Sequence, residues 1–340
     1  MNSLSTITKL AGGWLQLKVP VPFSLRWVNS YLLPEKSGWT VIDPGLRSAE
    51  TEAFWEAALL EAGIAWTSIE RIVLTHHHPD HYGLAGWFQE KTGAPVYLSE
   101  TGRRSALWMW GENETSSGEL LAAFAAHGMP AEREEGMKGH LRNVIGQVLP
   151  HPRDVRPLPE PGETFEMAGT VWTLIGGEGH APGHRSFYQP DLRRLICGDQ
   201  VLPDITPNIG WMPGTDPDPL GSYLASLRAM LPLEADLAFP GHRDPFGELR
   251  TRIGEILAHH DERLDRMVSL LAEWGPMTAY ETAGRLFRAK VMDDSHQLRF
   301  AMAETIAHLE RLVLEDRAVR REETGADGKP VIRYGPAVPV

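Results

Sequence analysis

Cysteine is almost missing from the 340-residue chain, which has one, Cys197. A lone thiol closes no intramolecular disulfide, so a small secreted scaffold stapled by such bonds is excluded, and the count fits a reducing compartment. Long apolar runs are absent too: nothing approaches the roughly 20 residues a membrane-spanning helix needs. The opening residues lack the charged-then-apolar pattern of a signal peptide, because Gly12, Gly13 and Lys18 interrupt it, and a cytoplasmic location without membrane contact is expected. Positive charge is in deficit. Lys+Arg 33 against Asp+Glu 45 gives a formal net charge of -12, so no overall field draws in nucleic acid or anionic lipid. Disorder is not indicated either, since 42% hydrophobic and 23% charged residues suit a folded protein longer than one ordinary domain. Histidine stands out instead, with 14.

The first 250 residues read as one α+β domain. Asn29-Ser30-Tyr31-Leu32-Leu33 and Trp39-Thr40-Val41-Ile42-Asp43 read as strands on either side of a turn, and Pro44-Gly45 closes the unit. Residues 48–63 read as a helix with Phe54, Ala57, Ala58 and Leu60 on one stripe and Gly63 as its stop. A strand at 71–75 runs into His76-His77-His78-Pro79-Asp80-His81, with a helix at 82–91 and a strand at 95–98 beyond. Residues 100–150 carry little β signal and read as a helical insertion. Strands return at 164–175, at 194–197 before Gly198-Asp199, and at 237–239 before Pro240-Gly241-His242. Apolar strand, small-residue turn and ligand-type side chain thus recur, which puts polar chemistry on loops at one sheet edge.

Residues 251–340 follow a different plan. Ile253, Ile256, Leu257, His260 and Leu264 begin a long amphipathic stripe, and Thr278 with Glu281 opens a second helix with a capping box. Leu298, Ala301, Met302 and Thr305 lie on a third helix, and 318–334 reads as a hairpin around 324–329. Three helices and a hairpin make a winged-helix-like domain.

The segment His76-x-His78-x-Asp80-His81 carries the chemistry. Imidazoles two apart on an extended loop point to one side and share an ion, and Asp80 with His81 turns toward a neighbouring one. Neutral imidazole and carboxylate suit zinc, iron or manganese rather than a thiolate site. Thr75 to His81 resembles the T-H-x-H-x-D-H signature of the metallo-β-lactamase-fold hydrolases, a group that includes the glyoxalase II type. Gly179-His180 with Pro182-Gly183-His184, Gly198-Asp199 and Pro240-Gly241-His242 come in that family's order, and the resemblance spans about residues 20–247. It implies an αββα four-layer sandwich with two divalent metal ions, zinc first and iron or manganese as alternatives. Carried over, His76, His78 and His180 bind one ion, Asp80, His81 and His242 the other, and Asp199 bridges them. Asp80 also helps to move a proton, and His184 orients a ligand from behind. Trp108, Trp110, Arg185, Trp211 and Met212 are expected to line the substrate cleft, and Cys197 to be core.

A fold shared by thioesterases, lactonases, β-lactamases and nucleases does not choose a substrate. The expected activity is hydrolysis of an ester or thioester of a small acyl compound, of acyl-CoA or acylglutathione type. The alternative is a small endoribonuclease acting on single-stranded RNA, because the layout resembles the mitochondrial β-lactamase-like endoribonuclease. Charge disfavours nucleic acid: residues 258–340 hold 12 Lys+Arg and 14 Asp+Glu, a net of 12 - 14 = -2. That segment is expected to cap the site or to pair two copies as a homodimer.

Overall fold

The structure, a computed structural model, describes residues 7–325 and 328–337. Two sheets lie face to face. The first has seven strands in chain order: β1 (Ile7–Lys9), β2 (Leu15–Pro20), β3 (Trp27–Pro34), β4 (Trp39–Ile42), β5 (Ile69–Val73), β6 (Val96–Leu98) and β7 (Val155–Pro157). Short turns make β1 to β4 antiparallel, and helical crossovers make β4 to β7 parallel. The second sheet has five strands, β8 (Thr164–Met167), β9 (Thr170–Gly177), β10 (His184–Gln189), β11 (Arg194–Gly198) and β12 (Leu237–Pro240), with only β11 and β12 parallel. Trp14, Tyr31, Val73, Trp172, Phe187 and Phe239 fill the space between the sheets.

Helices cover both outer faces and complete the αββα sandwich. On the first sheet lie α1 (Ala49–Ala62), α2 (Pro79–Tyr82) and α3 (Ala85–Thr92), with Trp55, Leu59 and Phe88 packed over Leu17, Val41 and Ile72. The insertion between β6 and β7 is helical, as α4 (Glu100–Met109), α5 (Thr115–Ala126) and α6 (Glu134–Gly146). On the second sheet lies α7 (Pro219–Met230). The chain ends in α8 (Leu249–Trp274), α9 (Ala279–Leu286), α10 (Ala289–Asp293) and α11 (Ser295–Leu314), then a hairpin of β13 (Ala318–Thr324) and β14 (Pro330–Pro336). Ala326 and Asp327 of the expected turn lie outside the described residues.

Three readings need correction. Helix α1 starts at the Ser48–Thr51 capping box and stops at left-handed Gly63, but its buried stripe is Thr51, Trp55, Ala58 and Leu59. Leu60 is 82% exposed. Apolar pairs at 54–55 and 59–60 offer two stripes, and Trp55 decides between them because its Nε1 donates to the Pro44 carbonyl. The helix expected at 82–91 starts later, as α3 at Ala85, and a separate short α2 precedes it, since the Leu84 N–H leaves the spiral to bond Gly45 at 2.8 Å. In the C-terminal segment α10 stands between the second and third expected helices. Leu298, Met302 and Ile306 of α11 share one continuous core with Tyr223 and Leu224 of α7, so this segment closes over the second sheet. No helix among the described residues is long and apolar enough to cross a membrane.

Candidate metal centre

The proposed ligands gather because each follows a strand that ends at the same rim. His76 lies just past β5, and His78 is the N-cap of α2, whose first turn carries Asp80 and His81. His180, Asp199 and His242 follow β9, β11 and β12. The turns must be glycine where they touch the site. A Cβ on Gly241 would stand 2.2 Å from Asp199 Oδ1, and one on Gly198, at φ 50°, would stand 2.6 Å from His184 Nε2.

Three overlapping groups of donors result: His76, His78 and His180; His76, His81 and Asp199; Asp80, His81 and His242. His78 Nδ1 lies 3.1 Å from both His76 Nε2 and His180 Nε2. His242 Nε2 lies 3.1 Å from Asp80 Oδ2 and 3.3 Å from Asp199 Oδ2, and His81 Nε2 lies 3.5 Å from Asp199 Oδ1. Asp199 therefore faces both ends of the cluster, with His180 Nε2 3.7 Å from its Oδ2.

The remote ring nitrogens show which atoms point inward bare. His180 Nδ1 bonds the Asn208 carbonyl and His242 Nδ1 the Trp27 carbonyl, both at 2.9 Å. A carbonyl only accepts, so these nitrogens carry protons, and each ring in its neutral form turns an Nε2 lone pair inward. Asp43 does the same for two more ligands. Its carboxylate takes the Thr75 N–H at 2.8 Å, the Thr75 hydroxyl at 2.7 Å and His81 Nδ1 at 2.9 Å. With its proton given to Asp43, the Thr75 oxygen accepts from His76 Nδ1 at 2.9 Å. His81 Nε2, His242 Nε2 and Asp199 Oδ1 are left buried without a hydrogen-bond partner. Such atoms are costly unless a cation completes them, and nitrogens around tetrahedral zinc stand roughly 3.3 Å apart, so the cluster fits two divalent metal ions. In the sequence Asp43 is marked only as the end of a strand.

Charge divides the cluster. Burial lowers His76 and His78 well below the usual imidazole range, the neighbouring imidazoles push them further, and burial also lowers His180 against the pull of Asp199. Burial acts in the same direction on His242, but Asp199 and Asp80 override it and raise the ring to about 10. His81 is likewise raised against its burial by Asp199, Asp80 and Asp43. The carboxylates answer in kind, Asp199 and Asp80 being lowered despite burial by His242 and His81. One half offers neutral lone pairs, while in the other the carboxylates hold protons on His81 and His242 that an entering cation would displace to free both Nε2 atoms.

Two clefts meet at this centre. One, of about 370 Å³, is lined by His77, His78, His180, Trp108, Met109, Met212 and Phe300 among others. The second, of about 360 Å³, opens on Asp80, Asp199 and His242. Trp108 and Met212, expected in a cleft wall, line the first of these. Trp110, Trp211 and Arg185 line neither cleft. Trp110 is buried, with Nε1 bonded to the His77 carbonyl, because the insertion uses it as core. Trp211 packs against the C-terminal core beside His127. Arg185, 4% exposed on β10, turns away to the Pro159 carbonyl and Glu160. His184 is buried behind His76, their rings 5.1 Å apart, with both nitrogens unpartnered, so it makes no hydrogen bond that would orient a ligand. Cys197 is buried, its Sγ against the Val201 and Phe239 carbonyls.

The C-terminal helices reach the centre by a relay with no counterpart in the sequence reading. Arg263 of α8 pairs with Glu304 of α11, and Glu304 Oε2 takes the Asn208 amide at 2.7 Å. The carbonyl of the same Asn208 holds His180.

A family model described as the metallo-beta-lactamase superfamily matches residues 26–242, and one described as the metallo-beta-lactamase-like C-terminal domain matches residues 264–337. The structure is similar to that of a metallo-beta-lactamase family protein from Thermus thermophilus, 35% identical with a TM-score of 0.82, over 97% of this chain and 100% of that one. Probable metallo-hydrolase YqjP of Bacillus subtilis is 26% identical over 313 residues, 89% of this chain and 92% of that protein. Thioesterase pkgB of Emericella nidulans is 30% identical over 111 residues, 33% of this chain and 30% of its own. Since the first match runs from β3 through His242 and contains every proposed donor, the chain belongs to the metallo-beta-lactamase superfamily and is a metallo-hydrolase.

Proposed function

We propose that the protein hydrolyses an ester or thioester of a small acyl compound. The observation that carries this reading is the apolar cleft that opens on His78 and His180 between Trp108, Met109, Met212 and Phe300. Such a wall takes an acyl chain and excludes water beside the donors. The partial relative from Emericella nidulans is named a thioesterase, which points the same way.

His76, His78 and His180 would hold one divalent ion and Asp80, His81 and His242 the other, with Asp199 between them. Bound there, such ions supply Lewis acidity toward a carbonyl oxygen and a water acidified enough to attack near neutral pH. The five imidazoles and two carboxylates, with no thiolate, suit zinc, and iron or manganese as alternatives. Asp80, less buried than Asp199 and facing the second cleft, is placed to hold the proton given up by an attacking water and pass it to the leaving group. Asp43 and the Asn208 and Trp27 carbonyls keep the rings oriented while this happens.

Metal-replete protein and an Asp80→Ala variant, assayed on acyl thioesters, lactones and single-stranded RNA, test the reading. Thioester or ester hydrolysis lost in the variant supports it. RNA cleavage lost in the variant, with esters inert, overturns it.

A further inference from the structure

Every carboxylate that lines the two clefts has a partner. Asp80 and Asp199 face His242, and Glu304 pairs with Arg263. Glu178 takes the Gly183 N–H, and Asp216 takes the Asp218 N–H. Arg299 of α11 differs in being a half-buried charge with no ionic partner. It lines both clefts, at the wall where they meet beside His78, His180 and Asn208. Its guanidinium lies 4.4 Å from the Phe300 ring and 5.9 Å from the Trp110 ring. Its Nε is buried without a hydrogen-bond partner. No carboxylate among the described residues lies within ion-pair distance of it.

An aromatic face offsets only part of the cost of taking a guanidinium out of water. Burial lowers Arg299 to about 10 against the longer-range pull of Asp80, which still leaves it charged near neutral pH. The nearby rings of His140 and His296 are themselves lowered to about 4, by burial first and by Arg299 second, so they provide no counter-charge. A planar donor fork, half-buried and facing the cleft, matches a bidentate oxyanion. The cleft's other cation, Arg104 of α4, is exposed and adds to the attraction.

The geometry points to Arg299 as the residue that reads the substrate: it binds an oxyanionic group, carboxylate or phosphate, carried by the ester or thioester whose carbonyl sits at the metal centre. This rests on the proposed hydrolase activity and adds the charge class of its substrate. Two positions on such a substrate offer that oxyanion, the acyl chain and the leaving thiol.

The test uses the metal-loaded full chain, with Arg299→Met and Arg299→Lys, and three thioesters. These are butyryl-N-acetylcysteamine, which is neutral, glutaryl-N-acetylcysteamine, with a carboxylate on the acyl chain, and butyryl-coenzyme A, with phosphates on the thiol. Arg299→Met is expected to lower kcat/KM about 10- to 100-fold on one of the charged probes and to leave the neutral one within about 2-fold. Arg299→Lys recovers part of the loss, and metal content stays unchanged. A loss confined to the glutaryl probe places the oxyanion on the acyl chain, and one confined to the coenzyme A probe places it on the leaving group. Equal losses on all three probes, or none, overturn the assignment.

If no thioester is hydrolysed, the proposed function fails, and calorimetric binding of glutarate and inorganic phosphate to the same proteins still decides the site. At least about 10-fold weaker binding of either anion to Arg299→Met upholds it. Equal affinity for both, or RNA cleavage that depends on Arg299, overturns it.

Discussion

The floor and the roof of the metal centre are built differently. The floor comes from the strand ends, where Asp43 binds Thr75 twice and His81 once, and the ligands it steadies have no exposed surface. The roof comes from α11 and the Asn208 loop, where His180 is held through a longer relay from Arg263 and Glu304, and where Arg299 has no ionic partner. A short fan of charge-assisted bonds leaves little freedom, and a relay through a loop carbonyl leaves more. The ligands fanned from Asp43 are therefore held more stiffly than His180, which the roof holds through a loop carbonyl.

The largest effect belongs to the residue facing both ends of the floor. Asp199→Asn is expected to cut metal content to one ion or fewer per chain and to lower kcat/KM by roughly 10²–10³-fold, as elemental analysis and steady-state rates will read. Next comes Asp43→Ala, which strands buried donors on Thr75 and His81. Competition with a chelator should show metal affinity about 10- to 100-fold weaker. Glu304→Ala attacks the roof alone and should weaken metal binding about 10-fold, at the low end of that range, because the Asn208 carbonyl remains. A loss as large as that of Asp43→Ala would erase the distinction between floor and roof.

The smallest effect lies behind the roof. His260 and His308 are buried and lie 3.1 Å apart, with His308 also bonded to the Glu304 carbonyl. Burial above all lowers them to about 2 and about 3. Unfolded, both titrate near 6.5, so below that pH the unfolded chain takes up protons that the folded chain refuses. Stability therefore falls as pH drops from 6.5 toward 3, by up to about 1.4 kcal/mol per unit for each ring, and is flat above 7 on their account. In urea melts between pH 6.5 and 5, His308→Gln should show a shallower slope than the parent, and an equal slope would remove the histidine pair from the account.

The floor is largely legible in the sequence because each donor sits in a local pattern: a short strand, a small-residue turn and a ligand type. The αββα layers follow from the same strands. Less legible is whatever depends on partners far along the chain. Asp43 needs residues 32 and 38 positions away to acquire its role. Arg299 and Glu304 sit in a helix whose visible signal is its apolar stripe, with the clefts nowhere implied. Strand β10 carries little strand signal because His184, Arg185, Ser186 and Gln189 read as polar, although all four are buried and the last three find hydrogen bonds. Trp110 shows the opposite ambiguity, since an aromatic in a helical insertion fits core and cleft equally until its indole N–H finds the His77 carbonyl.

The crowding at Gly198 and Gly241 bears on how the protein tolerates change. Neither residue offers a side-chain donor, yet any side chain at Gly241 would run into Asp199 and His81, and any at Gly198 into His184 and Thr75. A scan of all single substitutions, scored by retained activity, should therefore rank both glycines with the histidines as intolerant positions. Intolerance there would mark the space the donors occupy rather than the donors themselves.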